Sequence, residues 1–301
     1  MKKILLFACI SSLTIALQAQ SCCTASSCSN TGCSDQSVNG MASFIGMRYA
    51  TSSSRFHLSS MFGEDQSIRY SDNFHSVAFT GRWSVKDYLA LQAEIPFAFN
   101  IRKGTENAFY TGLSDISFGI TGKLPTIVRH NTKHKVYLGF MVYAPTGEFR
   151  KSIDTTGFAP LIQQGVGAWA FIPNIEYNLF VKNFGYSVGA SYRYALHNPD
   201  HLQIGGKAQL WMKGIFDKKV FETHIIPSLA FIGEYYQQNK FHTTAVDLSG
   251  GYVVSAEVGL DFKFIDKYAI GLKYRQPLAS KLAKGKLQPY GTFAIQFNYF
   301  L

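Results

Sequence analysis

Long runs of alternating apolar residues constrain the fold of this chain more than any other feature of its sequence. In YLALQAEIPFAFNI, which begins at Tyr88, nearly every second residue is large and apolar, and the side chains of a strand alternate between its two faces. The stretches FGYSVGASYRYALH from Phe184 and YVVSAEVGLDFKF from Tyr252 repeat this pattern. The opposite face of these stretches carries charged residues and glycines, which do not form a hydrophobic core.

The length of these runs indicates strands that cross a lipid bilayer. Strands of soluble β-sandwiches are typically about five or six residues long, whereas a tilted transmembrane strand needs about ten. The composition agrees, since 15% of the residues are aromatic and only 16% are charged. Aromatic residues near predicted strand ends, such as Trp83, Tyr194 and Tyr268, would form girdles at the membrane interfaces. We therefore predict an all-β fold, a transmembrane antiparallel up-and-down β-barrel.

The alternating pattern predicts about twelve strands. An even number is typical of bacterial barrels, and pairing of the last strand with the first would remove the open edges that lipid does not tolerate. The predicted strands cover residues 43–57, 74–85, 88–101, 112–124, 135–145, 165–179, 183–197, 201–214, 220–236, 251–264, 268–280 and 289–301.

The connections between these strands sort by length into two groups. Tight turns such as Lys86-Asp87, Val181-Lys182 and Asp266-Lys267 follow even-numbered strands. Longer polar loops follow most odd-numbered strands, including PTGEFRKSIDTTGFAPLIQQG from Pro145. Because bacterial barrels have short periplasmic turns and long extracellular loops, we expect both chain termini to face the periplasm.

The N-terminal segment MKKILLFACISSLTIALQAQ has the pattern of a secretory signal peptide. Lys2 and Lys3 precede an apolar stretch, and small residues follow it as a cleavage site. The predicted organisation is a signal peptide at residues 1–19, a flexible Cys-rich periplasmic arm or plug at residues 20–42 and the barrel at residues 43–301. We expect the mature chain in the outer membrane of a Gram-negative bacterium.

The arm SCCTASSCSNTGCSDQSVNG carries the most distinctive chemistry, in Cys22, Cys23, Cys28 and Cys33. Cysteines in an oxidising periplasm form disulfides by default. A thiolate cluster can instead bind a soft metal ion such as Cu(I) or Zn(II), although this spacing matches no recognised zinc pattern. Both interpretations stay open, beside a role in attachment or no function at all, and no other cofactor is expected.

Strand alternation assigns a set of polar side chains to the barrel lumen. A charge that faces lipid near the bilayer midplane costs about 2 to 4 kcal/mol, so the charged residues of the strands should share the inner face. Each is either an internal strut or a group that contacts a passing solute. The candidates are Arg82, Gln92, Glu94, Asp115, Lys123, Glu176, Arg193, Lys207, Glu222, His224, Glu234, Glu257, Asp261, Lys263, Lys273 and Arg275.

Short stretches of the chain resemble known outer-membrane proteins. The final stretch GTFAIQFNYFL resembles the last strand of outer-membrane barrels, a signal for the outer-membrane assembly machinery, although it ends in Leu301 rather than an aromatic residue. GLSDISFG from Gly112, then GKLP from Gly122, and APTG from Ala144 resemble the signature of outer-membrane channels of the meta-pathway of phenol degradation. Ser114 stands where that family more often has glycine. The resemblance implies a diffusion channel rather than an enzyme.

The formal charge of +10 does not indicate a nucleic-acid-binding protein, because the basic residues are scattered and no binding motif accompanies them. Lipid phosphates or an anion-favouring lumen fit this charge better. A serine lipase is also not expected: Ser249 lies near Asp247 in a loop, but the His-x-Ser-Asn arrangement of barrel phospholipases is not found. We therefore predict no catalytic residues.

Three functions remain open at this point. The first is an outer-membrane channel for the passive passage of small, apolar or aromatic solutes. The second is a barrel that is accessory to metal handling or redox chemistry through its Cys-rich arm. The third is a structural or adhesive barrel without transport. In the first of these functions the lumen is the functional part of the protein, and in the second it is the arm at residues 20–42.

Overall fold

The structure of the protein is a computed structural model that describes residues 41–58, 68–104, 107–149 and 163–301. The predicted signal peptide and all four cysteines of the predicted arm lie outside these ranges. Within them the fold is all-β, and no helix is long and apolar enough to cross a membrane.

Twelve long strands form the wall, as predicted. Each pairs antiparallel with its neighbour in sequence, and their lengths suit a bilayer crossing. The wall strands are β1 Phe44–Leu58, β2 Ile68–Lys86, β3 Leu89–Gly104, β4 in two parts, Ala108–Leu113 and Ser117–Lys123, β5 Thr132–Tyr143, β6 Ala170–Val181, β7 Phe184–Ala195, β8 Lys207–Phe216, β9 Thr223–Tyr236, β10 Gly251–Phe264, β11 Tyr268–Leu282 and β12 Thr292–Phe300.

Pairing of β12 with β1 closes the barrel. The register runs continuously from the pair Phe44 and Phe300 to the pair Thr51 and Phe293. The backbone N–H of Leu301 also donates to the carbonyl of Ser43, with an N to O distance of 3.1 Å. The stretch GTFAIQFNYFL therefore has no open edge, because it pairs with β1 along one edge and with β11 along the other.

The two ends of the barrel differ in their connections. We call the end that carries Phe44 and Phe300 the terminal rim, and the opposite end the loop rim. The short connections after β2, β4, β6, β8 and β10 lie at the terminal rim, and the odd-numbered strands end at the loop rim. A three-stranded sheet of Leu202–Gln203, Lys240–Phe241 and Thr244–Ala245 stands at the loop rim. The periplasmic orientation of the terminal rim stays a prediction.

The two faces of the wall have opposite chemistry. On the outer face large apolar side chains are exposed, with Trp83 72% and Leu210 65% exposed. On the inner face the alternate positions are buried and many are polar. In β3, for example, Glu94 and Asn100 are buried, whereas Ile95 and Phe99 between them are exposed. This is the reverse of a soluble protein, and it is the arrangement that a lipid environment requires.

Glycines on the inner face of β7 make room for larger side chains of the neighbouring strand. A Cβ atom at Gly189 would collide with the indole ring of Trp211, and one at Gly185 would collide with the side chain of Ile215. Both partners belong to β8 and are buried. The glycines that alternate with apolar residues in FGYSVGASYRYALH thus permit close packing inside the barrel.

The predicted strand 112–124 is interrupted, which corrects the sequence-based boundary. Residues 114–116 form a bulge: β4 has one residue more than β3 between the pair Phe97 and Leu113 and the pair Glu94 and Ser117. A bulge of this kind changes which side chains of a strand face inward. The side chain of Asp115 in the bulge binds backbone amides of other segments, which accounts for the break in the pairing between β3 and β4.

Two strands begin several residues later than predicted, for identifiable reasons. β8 begins at Lys207 rather than at residue 201, because Leu202–Gln203 pairs with Lys240–Phe241 in the small sheet. β6 begins at Ala170 rather than at residue 165, because the amide of Val166 binds the side chain of Asp115 instead of a neighbouring strand.

Arginine on the outer face should impair membrane insertion. Val188→Arg should destabilise the folded barrel by about 2 to 4 kcal/mol, because Val188 lies in the middle of β7, and Leu91→Arg should cost less, because Leu91 lies near the start of β3. Urea unfolding of refolded protein in micelles, with heat-modifiable migration on gels, measures the effect. Val188→Ile and Leu91→Met are the controls. Normal stability of both arginine variants would overturn the assignment of the faces.

Candidate functional site in the barrel lumen

The inner face of the wall gathers most of the polar side chains that the sequence suggested for the lumen. Arg82, Glu94, Asp115, Lys207, Glu234, Glu257 and Lys273 are buried, and the side chains of intermediate exposure are Gln92, Lys123, Glu176, Arg193, His224, Asp261, Lys263 and Arg275. All of these residues have the strand parity of the buried inner positions, except Asp115, which lies in the bulge. Whether any of them contacts a solute stays a prediction.

Glu222 is the exception, and the structure corrects its assignment. It is exposed in the turn between Val220 and Thr223 at the terminal rim. The preceding residue, Phe221, has a φ of 54°, so the chain reverses there and β9 begins only at Thr223. Strand alternation therefore does not extend to Glu222.

A buried ion pair spans β1 and β3. Nη2 of Arg48 lies 2.5 Å from Oε1 of Glu94, and their side chains are 0% and 7% exposed. The intervening strand β2 places Ala78 beside Arg48, and this small side chain leaves room for the guanidinium to cross. Arg48 was not among the predicted lumen residues. The signal was weak because Gly46, Ala50 and Ser52 on the same face of β1 are small rather than charged.

A second network, which we call the charged ladder, crosses β8, β9, β10 and β11. It consists of Lys207, Glu234, Arg275 and Glu257. Nζ of Lys207 lies 2.6 Å from Oε1 of Glu234, and Nη2 of Arg275 lies 2.8 Å from Oε2 of Glu257. Nη1 of Arg275 also approaches Oε1 of Glu234 at 3.9 Å. Sequence reasoning named all four residues, and the structure brings them together.

A third ion pair lies on the inner face near the loop rim. Arg102 donates from Nε and Nη2 to the two carboxylate oxygens of Asp72 at 2.7 and 2.9 Å. Its guanidinium also lies 4.4 Å from the ring centroid of Tyr70. This bidentate geometry is the strongest that Arg and a carboxylate form. Sequence reasoning missed Asp72 and Arg102, because both lie beyond the predicted ends of their strands, at 74 and 101.

The bulge joins GLSDISFG to APTG, two of the stretches that resemble the phenol-degradation channels. Asp115 accepts hydrogen bonds from the backbone amides of Gly147 at 3.1 Å and Val166 at 3.0 Å. The hydroxyl of Thr146 donates to the carbonyl of Ser114 at 3.0 Å and accepts from the amide of Ile116 at 2.9 Å. The loop between β5 and β6 is thus tied at both of its ends to the wall, and Asp115 is its anchor.

Smaller contacts occupy the terminal rim. Arg82 donates to Oε1 of Gln92 at 3.4 Å and lies over the ring of Phe44.

In the turn after β10, Nζ of Lys263 lies 2.8 Å from Oδ1 of Asp266. The hydrogen bond and the charge of Lys263 lower the pKa of Asp266. His224 contacts Asp217 at 2.8 Å in the neighbouring connection. These contacts place Lys263 and His224 at the edge of the lumen rather than at its centre.

The loop serine that could suggest a lipase is used within its own loop. The hydroxyl of Ser249 donates to the carbonyl of Val246 at 2.5 Å and accepts from the amide of Asn239 at 3.0 Å. Asp247 pairs instead with Nζ of Lys284 at 2.9 Å. The two residues therefore order the connection that leads into β10.

Within residues 41–58, 68–104, 107–149 and 163–301 no group of three or more His, Cys, Asp or Glu side chains is arranged to hold a metal ion. Cys22, Cys23, Cys28 and Cys33 lie outside these ranges. Their disulfide bonding or metal binding stays a prediction.

Comparison with known proteins supports the architecture. No protein-family model and no curated protein sequence matches the chain. Its structure is similar to that of the COG4313 outer membrane channel from Pseudomonas putida F1, with a TM-score of 0.66 and 13% identity over 89% of this chain and 98% of that chain. The fold is that of an outer-membrane β-barrel. The predicted class is thereby confirmed, whereas the narrower resemblance to phenol-degradation channels stays a prediction.

Two further similar structures are more distant. The beta domain of the Bordetella autotransporter BrkA has a TM-score of 0.46 and 10% identity over 86% of this chain and 100% of that chain. The NanC porin has a TM-score of 0.45 and 7% identity over 85% of this chain and 99% of that chain. At these scores neither similarity bears on the site.

Removing the anchor should loosen the loop between β5 and β6. In Asp115→Ala the amides of Gly147 and Val166 lose their acceptor, and a hydrogen bond to a charged group contributes about 1.5 to 3 kcal/mol. We expect hydrogen exchange at these two amides to become about tenfold faster or more. Asp247→Ala, which removes an exposed carboxylate, is the control. Unchanged exchange in Asp115→Ala would show that other contacts hold the loop.

The Arg48 and Glu94 pair should act as a strut. Glu94→Gln should destabilise the barrel by roughly 3 to 5 kcal/mol, because the buried guanidinium loses the carboxylate that neutralises it. The double variant Arg48→Met with Glu94→Gln should regain much of the loss. Arg193→Gln, at a half-exposed position, should change stability little. Equal unfolding midpoints for Glu94→Gln and the unmodified protein would contradict this role.

Proposed function

We propose that this protein is a passive channel of the bacterial outer membrane for small solutes. The observation that carries the proposal is the closed wall with an exposed apolar outer face and an inner face rich in charged side chains. An enclosed polar interior is what distinguishes water-filled barrels from barrels with an apolar core. The similarity to an outer-membrane channel at a TM-score of 0.66 supports the same proposal.

The chemistry of the inner face narrows the type of solute. The ladder residues, the Asp72 and Arg102 pair and the polar positions Asn100 and Gln209 are all on the inner face. A lining of this kind favours solutes that carry polar or charged groups over fully apolar ones. The apolar or aromatic solutes predicted from the sequence are compatible with it where the molecule also carries a charged group.

The membrane and its assembly machinery are the expected macromolecular partners. Exposed Leu210, Phe231 and Val258 on the outer face would contact lipid tails. The β12 strand, with Phe300 next to the end and Leu301 last, is the segment that the assembly machinery would bind. We further propose that the terminal rim faces the periplasm, because it carries the short turns.

Two other functions compete with transport. The extent of ion pairing inside the barrel, in the ladder and in the Arg48 and Glu94 pair, favours a filled structural barrel as the second candidate. An accessory role in metal handling or redox chemistry rests on Cys22, Cys23, Cys28 and Cys33 alone. A filled barrel would conduct no ions, which separates it from a channel.

Single-channel conductance of the purified protein in a planar bilayer tests the proposal. We expect stepwise conductance from the mature chain, and a larger one from a chain that lacks residues 20–42 if the arm acts as a plug. A change of conductance with Cu(I) or Zn(II), lost in the variant with all four cysteines replaced by serine, would support the metal-handling alternative. Silence of both chains, each shown to be folded by its heat-modifiable migration, would overturn the channel proposal.

A further inference from the structure

We propose that the lumen selects anions over cations, so that the solutes of this channel are small organic anions such as carboxylates. The inference rests on the proposed channel function and adds the charge of the solute. It follows from the distribution of charge on the inner face, taken over the part of the wall that the structure describes.

Basic side chains outnumber acidic ones on the inner face of the wall. The acidic side chains there are Asp72, Glu94, Asp115, Glu176, Glu234, Glu257 and Asp261. The basic side chains are Arg48, Arg82, Arg102, Lys123, Lys135, Arg193, Lys207, Lys213, Lys263, Lys273 and Arg275. The potential inside a channel depends on this sum, whether or not the individual charges are paired.

Most of the negative charge is held against a cation. Glu94, Glu234 and Glu257 contact Arg48, Lys207 and Arg275 respectively, and Asp72 contacts Arg102. The four acidic side chains are between 4% and 7% exposed. A cation that enters the lumen therefore finds no exposed carboxylate among these four.

The positive surplus is concentrated around the charged ladder. Lys213 lies beside Ala230, which in turn lies beside Glu257, and Lys273 shares the inner face of β11 with Arg275, the partner of Glu257. Both are on the inner face, on β8 and β11. Four cations, with Lys207, thus surround the two carboxylates Glu234 and Glu257. This part of the wall carries a net positive charge, and an anion is its complementary ligand.

The enclosed position of the surplus positive charge strengthens its effect on a passing ion. A lumen enclosed by protein and lipid has walls of low dielectric constant, which focus the field of fixed charges along the passage. Salt screens charges inside such a space less than charges on an open surface. Arg193 on β7 and Lys123 on β4 add positive charge elsewhere on the inner face. A small anion should therefore be stabilised on its way through the lumen and a cation repelled.

The reversal potential of the channel across a KCl gradient tests the inference. We expect a chloride to potassium permeability ratio above unity for the full mature chain. The double variant Lys213→Gln with Lys273→Gln should lower this ratio about twofold or more. Lys103→Gln removes one positive charge from an exposed position outside the lumen, and it should leave the ratio unchanged.

The outcomes separate this inference from the channel proposal. Conductance with a permeability ratio at or below unity would overturn anion selectivity and leave the channel in place, whereas absence of conductance would remove both. Replacing chloride by benzoate tests the organic anion directly, since sustained benzoate current is expected. If the double variant does not fold, Glu176→Gln replaces it. That variant removes a half-exposed inner carboxylate and should raise the ratio, and a lower ratio would contradict the inference.

Discussion

The structure depends on one constraint, which is that every backbone N–H and C=O group in contact with lipid must find a hydrogen-bond partner within the protein. The pairing of β12 with β1 meets this constraint, because it leaves no wall strand with an open edge along that seam. Closure also separates two environments. The outer positions meet lipid and are apolar, and the inner positions can be charged only because the wall shields them from lipid.

Burial of charge on the inner face imposes a second condition. A charged group removed from water is costly unless an opposite charge or hydrogen-bond donors accompany it. The Arg48 and Glu94 pair, the Asp72 and Arg102 pair and the charged ladder meet this condition. The same arrangement neutralises the carboxylates and leaves the lumen with a positive surplus. The stability of the barrel and its proposed preference for anions therefore have a common physical origin.

The bulge at residues 114–116 connects the wall to a loop that begins far away in sequence. By adding one residue to β4 it turns Asp115 inward, where the carboxylate binds the amides of Gly147 and Val166. The stretches GLSDISFG and APTG, which resemble one family signature, are thus parts of a single local structure. Their common occurrence in one sequence has a structural reason, since each supplies partners for the other.

The sequence by itself determined the all-β class, the twelve strands, the short and long ends of the barrel and the face of nearly every lumen candidate, because strand side chains alternate strictly. Only the tertiary structure decided the partners. The pairing of Arg48 with Glu94, two strands apart, and the meeting of Lys207, Glu234 and Arg275 depend on the register of each strand. Register is set by closure of the whole barrel and cannot be deduced from the alternation within one strand.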